Sequence, residues 1–389
     1  MKIRRILAVG GGSGGHVTPV VAILRELRKD NPHVEVRFWC DTHYAPQAKR
    51  IMEEYDHSIF VQTVASGKFR RYQHLSKLQH LTIPSVIFPN IRDAFLVLAG
   101  IGQSILRMLI WRPDVVFANG GYVCLPVGWA AALLRIPLVI HDADAVPGLT
   151  NRLLAPLATK IGTGLSLEHF HYPAAKATYV GVAIDPAYRV VSASEKRSLK
   201  KELGFAEDRP LLVVTGGGQG ARQINNAIAK NLHDLLEITN VLLLSGDAQY
   251  DEMYSLTPQN DPRFVLKDFI PGLPKVFGAA DVVVSRAGAT ALLELAAMAL
   301  PTIVVPSKRL IWQIEHVKLY AYQNAVVSLD EDVFEDINDR SLVDAVKKVL
   351  DDASYRKQLS DNLHKMARPH AAHDMAKVIE SAVRGNGGR

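Results

Sequence analysis

The sequence predicts an α/β protein of two successive Rossmann-like domains, each a parallel sheet covered by helices. Three observations carry that expectation. The chain has 389 residues, more than one typical core holds and enough for two domains of about 150–200 residues. Short apolar runs alternate with amphipathic stretches, the βαβ rhythm of a parallel sheet. That rhythm then restarts: LAVGGGSGG (Leu7 to Gly15) and LVVTGGGQGA (Leu212 to Ala221) each join an apolar strand to a glycine-rich turn and a following helix.

In chain order, RRILAVG predicts the first strand and VVAILRELRKD the first helix. The strands VEVRFWC, PDVVFANG, IPLVIHD and ATYVGV follow. The apolar run after MKIRR is too short for a signal peptide. The second half supplies RPLLVVT, VLLLSG, RFVLKDFI, ADVVVSRAG and LPTIVVP. The boundary is expected between Val180 and Val190, dividing the chain into 1–183 and 184–355. A segment 356–389 of amphipathic helices and a frayed GNGGR tail is expected to pack back on the N-terminal domain. One stretch breaks the pattern: basic Arg70, Arg71 and Lys77 precede an apolar helix expected from Ala94 to Trp111. That is shorter than the roughly 20 residues a bilayer span needs. It is read either as a core helix or as a monotopic surface that dips into acyl chains.

At 48% hydrophobic and 22% charged, the composition excludes a disordered chain. Only Cys40 and Cys124 are present, at no zinc-binding spacing, so neither a disulfide framework nor a structural metal is implied and a reducing cytoplasm fits. The net charge of +6 is uneven: residues 1–180 hold 20 Lys+Arg against 12 Asp+Glu, and the remainder 25 against 27. A basic first half points to an anionic partner, either nucleic acid or an acidic membrane surface. No basic run is interleaved with stacking aromatics, which argues against nucleic acid.

A glycine turn between strand and helix frees backbone N–H groups for a phosphate, with the helix dipole favouring the anion. It also serves wherever the chain simply turns tightly. Asp41, after the second strand, is the one candidate for the ribose-binding acid of a dinucleotide site, and a second glycine loop does not suit a simple dehydrogenase. GxxxxGK[ST] is missing, so P-loop hydrolysis is disfavoured.

GGGSGGHVTP (Gly10 to Pro19), GGYVCLP (Gly120 to Pro126), GLTN (Gly148 to Asn151), GGGQGARQIN (Gly216 to Asn225), DFI (Asp268 to Ile270) and SRAGATALLELAAMALPTIVVP (Ser285 to Pro306) occur in the order and spacing of the MurG family. The chain resembles these UDP-N-acetylglucosamine transferases, which complete lipid II on the cytoplasmic face of the bacterial membrane, from about residue 5 to 306. The resemblance implies GT-B architecture, with two Rossmann-like domains facing an interdomain cleft, the lipid acceptor in the first and UDP-GlcNAc mainly in the second. It implies an inverting N-acetylglucosaminyltransferase of peptidoglycan synthesis that requires no cofactor or metal, with UDP-GlcNAc as donor substrate. The expected partners are an undecaprenyl-linked acceptor, an anionic membrane surface and other cell-wall synthesis proteins. Its expected place is peripheral, on the cytoplasmic face of the cell membrane.

The resemblance places His16 as catalytic base, the alternative being a histidine that bonds a phosphate or caps the helix. It places Ser13, Gly14 and Gly15 against ligand, and Tyr122 beside the cleft or in the core. In the second half it places Gly218, Gln219, Gly220 and Asn225 in the donor loop and the Ile270 backbone against uracil. Gly288, Ala289 and Thr290 fall at a helix start facing the nucleotide, and Glu294 on the ribose hydroxyls or in a structural ion pair. Departures from the family pattern are Asp144 for an asparagine near the sugar, Asp185 for a ligand-binding arginine, and Gly218 for serine. Asp185 reverses a charge near a diphosphate, so another cation is expected to compensate: Arg222, Lys308 or Arg309. Gln313 and His316 are read as sugar contacts or as ordinary helix surface. The competing readings are a GT-B transferase with another donor or acceptor, a UDP-GlcNAc 2-epimerase, and a nucleotide-binding protein without turnover.

Overall fold

A computed structural model describes residues 2–384 apart from 13, 71–75, 77–78, 80–81, 219, 271 and 337. Ser13, Arg71, Lys77, Gln219 and the GNGGR tail therefore lie outside the described residues. The chain divides into two compact units, Met1–Ala183 with His370–Arg389, and Ile184–Pro369.

The sheet of the first unit is wholly parallel. Its strands are β1 (Arg5–Val9), β2 (Glu35–Cys40), β3 (Phe60–Thr63), β4 (Val115–Ala118), β5 (Leu138–Asp142), β6 (Lys160–Thr163) and β7 (Ala177–Tyr179). They run in the order β3-β2-β1-β4-β5-β6-β7, with Ile6 in register with both Val36 and Val115. Helices cover both faces, so β4 and β5 are buried end to end and read as unbroken apolar runs until their polar carboxyl ends. Alternation sorts β1 into two cores: Ile6 and Ala8 pack with the helix Thr18–Asp30, Leu7 and Val9 with the helices Pro84–Ile110 and Cys124–Leu133.

The second unit repeats the plan with β8 (Leu211–Thr215), β9 (Asn240–Leu244), β10 (Phe264–Lys267), β11 (Val282–Ser285), β12 (Thr302–Val304) and β13 (Val327–Ser328). The order is β10-β9-β8-β11-β12-β13, again parallel. In both units the order reverses beside the first strand, between β1 and β4 and between β8 and β11. At such a switch point the loops leaving the carboxyl ends diverge and open a crevice. The two glycine loops sit there.

Two expectations need correction. Of the 356–389 segment, only the helix Ala371–Arg384 joins the first unit, where Asn31 Nδ2 donates to Glu380 Oε1 (2.9 Å). The helix Ala353–Lys365 stays with the second unit, held by Leu363 in its core and by His364 Nδ1 donating to Ala296 O (2.9 Å). The apolar helix is also longer than expected: it runs Pro84–Ile110, 27 residues, long and apolar enough by length and composition to cross a membrane. Pro84 at its start, where the N–H would lack a partner anyway, and Pro89 inside it, which gives up one helical bond, hide the first turns from a periodicity reading.

This helix buries one stripe. Asp93, Val97, Gly100, Ser104 and Met108 recur at three- and four-residue spacing against the unit, with Val86 two turns before Asp93 on the same face. Gly100 is required there, since a Cβ would lie 2.0 Å from the Ala65 carbonyl oxygen. Buried Asp93 is paired with Arg70 (3.1 Å) and Arg92 (2.7 Å). The other faces expose Phe88, Ile91, Phe95, Leu98, Leu106 and Ile110. It is thus core on one side and uncovered apolar surface on the others.

Candidate active site

The first glycine loop is shaped by close backbone approach. Between β1 and the helix Thr18–Asp30, the half-buried Gly14 and Gly15 form one 3-10 turn with His16. A Cβ on Gly10 would lie 2.2 Å from His16 O, and one on Gly121 2.4 Å from Gly11 O. Gly120, at φ +105°, leaves room for the His16 ring, since its Cβ would lie 2.5 Å from Nδ1. The two motifs GGGSGGH and GGY therefore interlock.

Asp41 pins this loop from below. Its Oδ2 accepts from Gly12 N (2.7 Å), its Oδ1 accepts from Tyr44 N (3.0 Å), and the Tyr122 hydroxyl donates to the same carboxylate. Asp41 is 1% exposed and fully engaged with its own loop, so it is not a ribose ligand in waiting. It also takes one of the amides that a bare glycine loop would offer to phosphate. Burial, and then Asp41, push the Tyr122 hydroxyl well above its ordinary range, which makes it a donor and not a base.

His16 Nδ1 lies 3.1 Å from Asn119 O. A carbonyl only accepts, so the ring proton sits on Nδ1 and Nε2 carries the lone pair. Burial lowers the pKa of His16, opposed by the charge of Asp144 and by the Asn119 carbonyl, so the ring is neutral at physiological pH. Asn119 ties the arrangement together, its Nδ2 donating to His16 O (3.1 Å). Behind it, His141 Nε2 donates to Gly181 O (2.8 Å), and burial holds this second imidazole down to about 4. Asp142, pushed up to about 6 by burial, accepts from Tyr172 Oη (2.6 Å). His16, Tyr122, Asp142, Asp144 and Asn151 all line one cavity of about 260 Å³, whose far wall is Gly67 to Phe69. This is a half-buried neutral imidazole facing an open-mouthed cavity with several polar groups in its wall, the geometry a general base needs.

In the second unit, the loop after β8 places Gly217 and Gly220 at positive φ, and a Cβ on Gly220 would lie 2.0 Å from Ser245 O. Gly218 is exposed and faces open space. Asn225 is wholly buried beneath this loop, its Nδ2 donating to Ser245 O and to Gln249 Oε1 (both 2.9 Å). Both amide hydrogens are spent on the scaffold. Gly288, Ala289 and Thr290 open the helix Ala289–Ala297 with the half-buried surface a ligand could reach. One turn on, Glu294 is buried and bonded to Tyr188, and burial plus the neighbouring charge of Asp185 raise it to about 8. It therefore holds its proton at neutral pH and makes no ion pair among the described residues. Ile270 sits in the loop after β10, packed beside Leu199 and Leu203 in a cavity of about 450 Å³.

Gln313 and His316 are not helix surface. Both are buried on the inner face of the helix Ile311–Tyr322, where Gln313 Oε1 accepts from Ser307 N and His316 Nδ1 donates to Ala287 O (each 2.9 Å). They hold the backbone of the loops they face. Of the cations considered against Asp185, Arg222 pairs with Glu252 (3.3 Å) and Lys308 with Asp330 (3.1 Å) and Asp332. Arg309 is exposed and shows no ion pair among the described residues.

Residues 6–163 match the N-terminal domain of glycosyltransferase family 28, and residues 211–375 its C-terminal domain. The UDP-N-acetylglucosamine--N-acetylmuramyl-(pentapeptide) pyrophosphoryl-undecaprenol N-acetylglucosamine transferase of Bacillus licheniformis is 30% identical over 382 residues, 97% of this chain and 98% of that protein. The chain belongs to glycosyltransferase family 28. The enzyme of the same name from Bacillus subtilis is 28% identical over 97% of this chain and 99% of its own length. The crystal structure of Acinetobacter baumannii MurG, a protein 21% identical, matches with a TM-score of 0.70 over 97% of this chain and 99% of that one. The two parallel-sheet domains are those of the GT-B architecture that the sequence predicts.

For a family 28 chain, the residues singled out by sequence fall into two groups. His16, Tyr122 and Asp144 come together in one cavity, whereas Gly14 and Gly15, in the same turn as His16, are not part of its lining. In the second unit, Asp185 and Glu294 lie close enough to interact, while Asn225, Gln313 and His316 support backbone. Sequence reasoning gave no role to Asn119, His141, Asp142, Tyr172 or Tyr188. The signal for the first three was present, since each is a polar residue at the carboxyl end of an otherwise apolar strand.

Proposed function

We propose that this chain transfers N-acetylglucosamine from UDP-N-acetylglucosamine to the C4 hydroxyl of undecaprenyl-diphospho-N-acetylmuramyl-pentapeptide, in peptidoglycan synthesis. The single observation that carries the mechanism is the neutral His16 ring, fixed by Asn119 with Nε2 unprotonated, in a cavity it shares with Asp144. Nε2 takes the proton of the acceptor hydroxyl as its oxygen attacks the anomeric carbon. The bond to the UDP oxygen breaks on the opposite side, inverting that carbon. Asp144 stabilises the imidazolium as it forms.

On this reading the second unit holds the donor. The loop after β8 and the N-terminus of the helix Ala289–Ala297 meet the departing diphosphate, and Glu294 meets the ribose. No metal is required, so activity is expected to survive chelation. The test is transfer of radiolabel from UDP-N-acetylglucosamine to a lipid-linked muramyl-pentapeptide analogue. Label remaining in UDP-sugar, or released as free N-acetylmannosamine, overturns the reading.

The first unit would dock to an anionic membrane surface by the uncovered faces of the helix Pro84–Ile110, beside the basic residues Lys68, Arg70 and Arg92. Flotation with anionic liposomes tests it. Phe95→Asp with Leu98→Asp is expected to abolish flotation, and equal flotation with neutral lipid would remove the electrostatic part.

A further inference from the structure

Next to the His16 cavity the first unit has a second, larger one that the transfer chemistry leaves unused. It measures about 650 Å³ and is lined by Val146, Pro147, Arg152, His171, Tyr172 and Lys176, with Ala155, Pro156 and Pro173 between them. No lining residue is acidic. Arg152 makes no ion pair among the described residues, and Lys176 Nζ donates only to a neutral group, Pro156 O (3.1 Å). The walls are apolar and the charges uniformly positive, a recess shaped for a chain that carries carboxylate.

The two cavities share their partition. The loop 143–148 gives Ala143 and Asp144 to the first and Val146 and Pro147 to the second. The helix Leu149–Leu154 turns Thr150 and Asn151 to the first and Arg152 to the second. Tyr172 closes the wall: its ring, stacked on Phe170 at 5.6 Å, lines the second cavity, while its hydroxyl donates to Asp142 of the first (2.6 Å). On the transferase reading, the muramyl sugar carries both the attacking hydroxyl and a peptide branch, and this partition is what separates the His16 cavity from the second one.

We propose that this second cavity binds the acidic peptide of the acceptor, with Arg152 and Lys176 pairing its C-terminal carboxylate; the assignment rests on the transferase reading above. Partly exposed pairs are worth little singly, and two together set the scale of the effect. Steady-state transfer to lipid-linked muramyl acceptors with and without the pentapeptide tests it, using the full chain. For Arg152→Ala with Lys176→Ala, KM for the peptide-bearing acceptor is expected to rise about tenfold, with kcat and the donor KM unchanged. Amidating the peptide C-terminus should reproduce that rise in the unaltered protein, and Arg152→Lys should restore most of the loss. An unchanged KM, or an equal rise for the peptide-free acceptor, overturns the assignment. If the unaltered protein transfers to neither acceptor, the transferase reading fails. Titration of free pentapeptide into unaltered and doubly substituted protein then decides the cavity, equal affinity overturning it.

Discussion

The glycine loop of the first unit and that of the second use one backbone device over different chemistry. Each leaves the first strand of a parallel sheet beside the switch point and enters a helix, and in each unit a histidine donates Nδ1–H to a loop carbonyl: His16, within its glycine loop, to Asn119 O, and His316, on the helix Ile311–Tyr322, to Ala287 O. In the first unit that histidine opens on a cavity with Asp142, Asp144 and Tyr122. In the second it is 1% exposed and braces backbone, and the titratable group one turn into the neighbouring helix is Glu294. On the proposed function, the backbone of both crevices would meet phosphate, and the side chains at strand ends would decide which one handles protons.

That contrast breaks first at the histidines. His16→Ala is expected to lower kcat by about 10²–10⁴, the usual worth of a general base, with donor KM retained. His316→Ala should act on the donor side, raising donor KM by loosening the loop at Ala287. A kcat after His16→Ala within a factor of two of the unaltered protein would sink its role. Because burial lowers the His16 pKa and only the neutral ring accepts a proton, kcat/KM for the acceptor should rise with pH along an acid limb below the ordinary histidine range.

The next effect is smaller and concerns the device itself. Asp41→Ala frees Gly12 N–H, Tyr44 N–H and the Tyr122 hydroxyl together. Loss of these charge-assisted bonds should cost about 2 kcal/mol, seen as a Tm several degrees lower, and reduce kcat/KM for the acceptor about tenfold. In the second loop the bonds run within the loop, Gly217 N donating to Thr215 Oγ1 and Gly220 N to Gly217 O, and no acid pins it among the described residues. A donor KM that rises with the acceptor term would show that Asp41 acts on the whole fold.

Most of the architecture was legible because periodicity and glycine punctuation are local. LAVGGGSGG and LVVTGGGQGA announce two strand-turn-helix units, and both sheets follow. The same rules hid the start of the helix Pro84–Ile110, whose two prolines argue locally against what packing on Gly100 and Met108 imposes. His16 was legible from its place after the glycines. Asp41 drew notice for the wrong partner, since sequence cannot show that the amide of Gly12, 29 positions away along the chain, lies 2.7 Å from its carboxylate. Gln313 and His316 could not be assigned between surface and interior because their helix has little amphipathic contrast, and only its packing decides the face.

The smallest effects belong to the second unit. Glu294 has a folded pKa of about 8, above its ordinary carboxylate value, through burial first and Asp185 second. A raised folded pKa stabilises below the unfolded value and is lost as pH rises through about 8, so Tm should fall across that window and Glu294→Gln should flatten it. On the proposed function donor binding should run the opposite way, because an ionised carboxylate would accept from the ribose hydroxyls: donor KM falls as pH rises toward 8. Asp185→Asn removes a like charge and leaves burial in place, so it should move both transitions to lower pH without erasing either. If the donor KM profile moves and the Tm profile stays, Asp185 acts on the nucleotide directly; if both move together, it acts through Glu294, and the aspartate tunes a buried acid.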